Sequence, residues 1–205
     1  MRRILSKFSV FELLLISLIA ALGIAVKPVI QPLVRIITGP MMIPGGVVAG
    51  GIYMMFLVLA YGMTRRRLSG TLTAAVQAFI VMLTGIGSHG PMTFVTYILP
   101  GVAVDLVMVA FYLRESKAYP KAPACFFAGI AANVTGSLLV GIALFNIPLV
   151  PMLLSLCVAA LSGGLGGLLA CSLLKKIYLL ELLVNTSAQS NWEEWEKENN
   201  ENKSE

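Results

Sequence analysis

Charge is scarce in this sequence: Asp, Glu, Lys and Arg together make up 12% of it, and histidine occurs once. Cys125, Cys157 and Cys171 show no CxxC spacing, so with a single His the chain offers no metal-ligand set. Each cysteine reads as a small buried hydrophobe. There is no GxxxxGK[ST] loop, which excludes ATP use by the chain itself. GxSxG, HExxH and paired carboxylates within the apolar stretches are also missing, which argues against an intramembrane hydrolase. No catalytic residue and no cofactor is therefore assigned. The net charge of +5 does not mark a nucleic-acid binder, because the basic residues gather at the ends of apolar segments rather than in one groove.

What the chain has in abundance is hydrocarbon. Hydrophobic residues make up 58% of its 205 positions, and the mean hydropathy is +0.86. A soluble domain of this size lacks the core volume to hide that much apolar surface. Runs of roughly 17–25 apolar residues are long enough to cross a bilayer as helices, and six are present: 9–26, 45–63, 69–86, 92–113, 122–143 and 151–174. The breaks agree with this division. Pro28 and Pro32 follow the first run, Arg65, Arg66 and Arg67 the second, and a Gly-rich turn ending in Pro91 the third. The predicted fold is all-α, a polytopic six-transmembrane-helix bundle in the cell membrane.

Loop charges orient it. Arg2, Arg3, Lys7, Arg65, Arg66, Arg67, Arg114, Lys117, Lys121, Lys175 and Lys176 fall on one side, and only Lys27 and Arg35 on the other. The positive-inside rule then places both termini in the cytoplasm. The first run read as a signal peptide, with Arg2 and Arg3 as its n-region, is the alternative. Two regions are expected: residues 1–176 as the membrane domain, and 177–205 as a polar, acidic, disordered cytoplasmic tail. From Trp192 to Glu205 that tail carries six Glu and two Lys. Trp192 and Trp195 are either solvated there or a docking patch.

Small and polar residues then show which helix faces meet protein. Ser17, Ala21 and Ala25 recur every four residues on the first span, and Ala159, Gly163 and Gly167 on the sixth. Either stripe allows close helix approach, within the bundle or to a partner. Asp105 is the one acidic residue deep inside the apolar runs, and such a carboxylate is by default a working group. It shares a stripe with Thr93, Tyr97 and Gly101. At about 1.5 Å per residue, Gln77, Asp105 and Asn133 lie roughly 12–17 Å from the cytoplasmic ends of their spans. They form either a ligand-reading cluster or an interhelical network. Toward the outer side lies a second polar group, Gln31, Arg35, His89, Tyr97 and Asn146, and His89 lies in the glycine-rich segment 84–91, where backbone can approach a ligand closely. The string Gly85 to Gly90 matches GxGxxG, but it joins two membrane helices and is no dinucleotide fingerprint.

Two stretches carry a family resemblance. Ala21-Leu22-Gly23-Ile24-Ala25 is similar to the AxxxA pattern by which substrate-binding S components of energy-coupling factor (ECF) vitamin transporters dock on their transmembrane coupling subunit. Gly90-Pro91-Met92 through Gly101-Val102-Ala103-Val104-Asp105 resembles S components for hydroxymethylpyrimidine and thiamine-type compounds, which carry an acidic residue at the matching place. The resemblance covers residues 8–176. It implies capture of a vitamin or precursor, toppling against the coupling subunit, and release driven by two ATPase subunits. Ser17, Ala21 and Ala25 would form the sliding contact, and loops 27–44 and 85–91 the lid and mouth. Tyr97 would stack on the ligand ring, while Gln77 and Asn133 read its edge. Asp105 would pair with a cationic ring or, lying nearer the cytoplasmic side, organise the bundle beneath the pocket, leaving His89 and Tyr97 nearer the ligand. The rivals are another cargo such as a cobalamin precursor, a lipid-acting membrane enzyme, and an accessory subunit without a ligand.

Overall fold

The computed structural model describes residues 8–38, 45–85, 90–111, 120–143 and 148–201. Among them there are seven α-helices, one 3-10 turn at Gly90–Met92 and no strand. The helices are α1 (Val10–Ala25), α2 (Lys27–Thr38), α3 (Gly45–Thr64), α4 (Ser69–Thr84), α5 (Thr93–Phe111), α6 (Ala122–Ala143) and α7 (Leu149–Glu201). Each of the six expected spans is occupied by one α-helix among its described residues. Five stretches are long and apolar enough to cross a membrane, while α4, with 16 residues, is shorter. The chain falls into two compact units, Met1–Cys171 and Ser172–Glu205.

The first unit is built around α3, which packs against α1, α2, α4, α5 and α6. It starts in a small-residue run (Gly45, Gly46, Ala49, Gly50, Gly51) and continues into buried Phe56, Leu57, Val58 and Leu59. The Ser9 amide donates to Glu12 Oε2 at 2.8 Å and satisfies one of the free donors at the start of α1. Glu12 also accepts from Arg66 at 2.9 Å, which pins the start of α1 to the α3–α4 turn. In that turn Arg65 and Leu68 have positive φ, allowing α4 to fold straight back.

Two expectations need correction. Residues 27–38, expected as part of a lid loop, are helix. Pro28 occupies the first turn of α2, where a missing N–H costs nothing, and one interior proline, Pro32, removes a single rung. The Val26 amide still reaches the Leu22 carbonyl at 3.2 Å, and Ile30 reaches Val26 at 3.1 Å. The first candidate span consequently runs 29 residues, Val10–Thr38. The second concerns Cys157, which is exposed, whereas Cys125 and Cys171 are buried as expected.

The stripe on α7 is internal. Ala159, Gly163 and Gly167 are buried, and a Cβ at Gly163 would stand 2.8 Å from Asn133 Cβ on α6. Beside them the Ser162 hydroxyl accepts from the Gly51 amide at 3.1 Å and donates to the Val48 carbonyl. The stripe on α1 behaves oppositely: Ser17, Ala21 and Ala25 are all exposed, together with Leu14, Leu18 and Leu22.

In the second unit, residues 177–201, expected as an unstructured tail, continue α7 as helix. Glu, Lys and Gln are good helix formers, so a charged stretch entered from an existing helix escapes the nucleation cost. Its described side chains from Ile177 to Ser187 are exposed.

Candidate functional site

The first unit encloses a cavity of about 390 Å³ to which all seven helices contribute. Its residues cluster at one end of their helices. Lys27 follows the end of α1, Gly45 opens α3, Thr93 opens α5, Gly141 lies near the end of α6, and Met152 lies near the start of α7. The Glu12–Arg66 pair marks the opposite end. The cavity therefore occupies the half of the bundle away from the arginine-bearing turn.

Gln77 on α4, Tyr97 on α5 and Asn133 on α6 all line it, so the structure brings these three expected site residues together. Asn133 also has a structural task. Its Nδ2 donates to the Val47 carbonyl at 3.1 Å and the Ala159 carbonyl at 2.9 Å, tying α6 to α3 and α7. Both donor hydrogens are spent, leaving only Oδ1 for anything else. Gly50 faces that oxygen because a Cβ there would overlap it. His89, like Asn146 of the outer polar group, lies outside the described residues, so the structure places three of the five expected ligand contacts in the cavity.

Asp105, expected among the ligand contacts, is the correction. It is absent from the cavity wall. Its Oδ1 accepts from the Gly70 amide at 3.0 Å and its Oδ2 from the Thr71 amide at 2.7 Å, and the Thr71 hydroxyl donates to Oδ2 as well. Gly70 and Thr71 open α4, so the carboxylate satisfies free N–H donors and faces the positive end of the helix dipole. Gly70 lies seven residues before Gln77, roughly 10 Å along the helix axis. Helix stagger thus separates two residues that equal counts from the span ends put level.

A consequence for stability follows. Asp105→Ala strands one buried and one part-buried amide and removes a cap, and is expected to cost about 3 kcal/mol, a fall of roughly 6–12 °C in melting temperature for a chain of this size. Asp105→Asn, keeping one acceptor oxygen, should fall about half as far. Thermal unfolding in detergent checks this; an unchanged melting point for Asp105→Ala would remove the capping role.

Gln31 and Arg35 of the outer polar group lie on α2, joined there by Lys27, which had not been expected at the site. Lys27, Gln31 and Arg35 recur at four-residue spacing and all line the cavity. The Lys27 ammonium donates to the Tyr97 hydroxyl. It also lies 4.1 Å from the Tyr97 ring centroid and 5.0 Å from that of Tyr53, a cation held between two aromatic faces. The Tyr53 hydroxyl is buried and has no hydrogen-bond partner among the described residues. A signal for α2 was present: Lys27 and Arg35 were the two basic residues on the otherwise uncharged side. Thr93 and Thr96 complete the polar wall, the Thr96 hydroxyl donating to the Thr93 carbonyl at 3.1 Å.

An all-helical, apolar chain with five stretches long enough to cross a bilayer among its described residues defines a multi-pass membrane protein, and it contains a cavity lined by both polar and apolar groups. The chain belongs to the family described as "ABC-type cobalt transport system, permease component", which it matches over residues 11–135. Its fold is similar to that in "Crystal structure of an S-component of ECF transporter", with a TM-score of 0.68 at 22% sequence identity. That similarity covers 95% of this chain and 98% of the other. No curated protein sequence matches it.

Proposed function

We propose that this chain is the substrate-binding subunit of an ECF-type importer, capturing a vitamin or vitamin precursor for uptake driven by partner ATPases. The observation that carries this reading is the cavity of about 390 Å³ inside an S-component-like fold. Its volume falls in the range of about 300–1,000 Å³ that encloses small organic ligands. Tyr97 and Tyr53 offer faces to a ring, and Gln77, Thr93 and Thr96 supply polar atoms for its edge.

The coupling partner docks, in this reading, on the exposed stripe of Ser17, Ala21 and Ala25, whose small side chains admit a neighbouring helix. The Ser17 hydroxyl already donates to the Leu13 carbonyl at 2.9 Å and asks nothing of that partner. Both termini are assigned to the cytoplasm from the lysine and arginine bias, which turns the cavity half toward the outside. A cysteine-accessibility scan checks that orientation; labelling of introduced cysteines at the arginine turn from outside intact cells would reverse it.

Two cargoes can be weighed against the cavity wall. The family description names cobalt. A bare divalent ion of that kind seeks imidazole, thiolate or carboxylate, and no His, Cys, Asp or Glu is among the described lining residues. A pyrimidine-type ring of the hydroxymethylpyrimidine class suits the amide and hydroxyl groups better. Cationic thiamine loses its expected counter-ion, since Asp105 is engaged at α4.

The test is native mass spectrometry of freshly purified protein, followed by titration of a vitamin panel. A carried heterocycle and a submicromolar dissociation constant for one panel member are expected. A flat response across the panel, with no carried molecule, would overturn the capture reading.

A further inference from the structure

The charge of the cavity wall has a consequence for what the cavity holds. Among the described lining residues there are two basic side chains, Lys27 and Arg35, and no acid. The acids within the described apolar spans of the first unit are committed elsewhere: Glu12 to Arg66, Asp105 to the start of α4. The described partners of Lys27 are a neutral hydroxyl and two neutral rings. An ammonium inside an apolar bundle is costly without a counter-charge. Cation–π contacts offset only part of that cost.

A second, independent observation points the same way. Tyr53 lines the same wall, its ring 5.0 Å from the same ammonium, and its hydroxyl is buried without a hydrogen-bond partner among the described residues. Buried hydroxyls are normally satisfied, so this one is an exception that a guest at the same wall can account for. Lys27 keeps donors to spare after Tyr97. Arg35, two turns along the same face of α2, is the second cation.

We propose that the cargo carries an anionic group, a carboxylate or a phosphate, held by Lys27 and the Tyr53 hydroxyl with Arg35 as the second cation. The inference rests on reading the cavity as the cargo site. The cargo's charge supplies the missing counter-ion, and its ring lies toward Tyr97 and the amide of Gln77. An empty cavity then keeps an uncompensated cation, so anion binding stabilises the fold more than a neutral ligand of equal size does.

The experiment uses four ring probes matched in shape: phenyl phosphate, benzoate, neutral benzamide and cationic benzyltrimethylammonium. Each is titrated at constant ionic strength, with binding and melting temperature both read. At least one of the two anions should bind and raise the melting temperature, while benzamide and the cation do not. Their order tells phosphate from carboxylate. In Lys27→Met that anion's affinity should fall roughly tenfold to a hundredfold, and Lys27→Arg should recover part of it. Tyr53→Phe provides a second variant should Lys27→Met not fold. Because its hydroxyl has no partner to lose, its unliganded melting temperature should hold or rise while anion affinity drops.

Anions that bind no better than benzamide would overturn the proposal. So would an anion response that survives unchanged in both Lys27→Met and Tyr53→Phe, which leaves Lys27 a packing cation only. Failure of the capture reading looks different. A flat vitamin panel alongside Lys27-dependent anion binding removes the vitamin and keeps the charge assignment. A neutral or cationic vitamin bound equally by Lys27→Met and the native chain keeps capture and removes the charge assignment.

Discussion

Ala21→Trp is expected to reduce uptake in whole cells to background while the purified variant still binds its cargo. Ala21 lies on the exposed face of α1 between Ser17 and Ala25, and Leu14, Leu18 and Leu22 flank it, also exposed. An indole there meets no neighbour within the first unit, so folding has no reason to fail. A partner helix that relies on close approach would be pushed outward, and the packing that drives association in lipid would be lost. Uptake assays and cargo titration on the same variant check the result. Joint loss of uptake and binding would mean that the stripe serves the bundle itself. Native uptake would mean that coupling occurs on another face.

The second large effect concerns folding. Gly163→Leu is expected to abolish folded protein altogether. A side chain at 163 would drive into Asn133 Cβ and the Gly129 backbone of α6, with no flexible end able to move aside. Overpacking a core usually costs about 1–3 kcal/mol, but here backbone opposes backbone and the helices must separate. Separation also breaks the two Asn133 bonds to Val47 and Ala159. Detergent-solubilised yield and gel filtration measure this. A monodisperse, cargo-binding Gly163→Leu protein would show that the α6–α7 contact is dispensable.

These two stripes illustrate what sequence pattern can and cannot decide. Both announce close packing through small residues every four positions, and nothing in the spacing says which faces inward. Burial settles it, because α7 finds glycine on α6 opposite while α1 presents its stripe outside. The membrane helices themselves were readable, since apolar length is set by bilayer thickness. α2 was not, because Pro28 and Pro32 look like breakers until one sees that a first-turn proline is tolerated.

The site was half readable. Tyr97, Gln77 and Asn133 stand out as polar side chains in apolar helices, and they share a cavity. Asp105 stands out for the same reason, but its partners are two backbone amides and one hydroxyl at the start of α4, 34 and 35 positions back in the chain. Backbone donors leave no mark in a sequence, so a capping carboxylate and a ligand carboxylate look identical there. Lys27 and Arg35 were visible as exceptions to a topological rule. That they share one wall of the cavity with Gln31 emerges only from α2 being helical, which turns residues 27, 31 and 35 to one side.

Gly23 gives α1 a double allegiance. It lies on the cavity wall, where a Cβ would come within 2.5 Å of the Gln77 amide nitrogen, while Ala21 and Ala25, two residues away on either side, look outward. A helix is stiff over so short a stretch. Any nudge that a guest gives this segment reaches the outer surface without a relay, so news of occupancy need travel only the thickness of one rod.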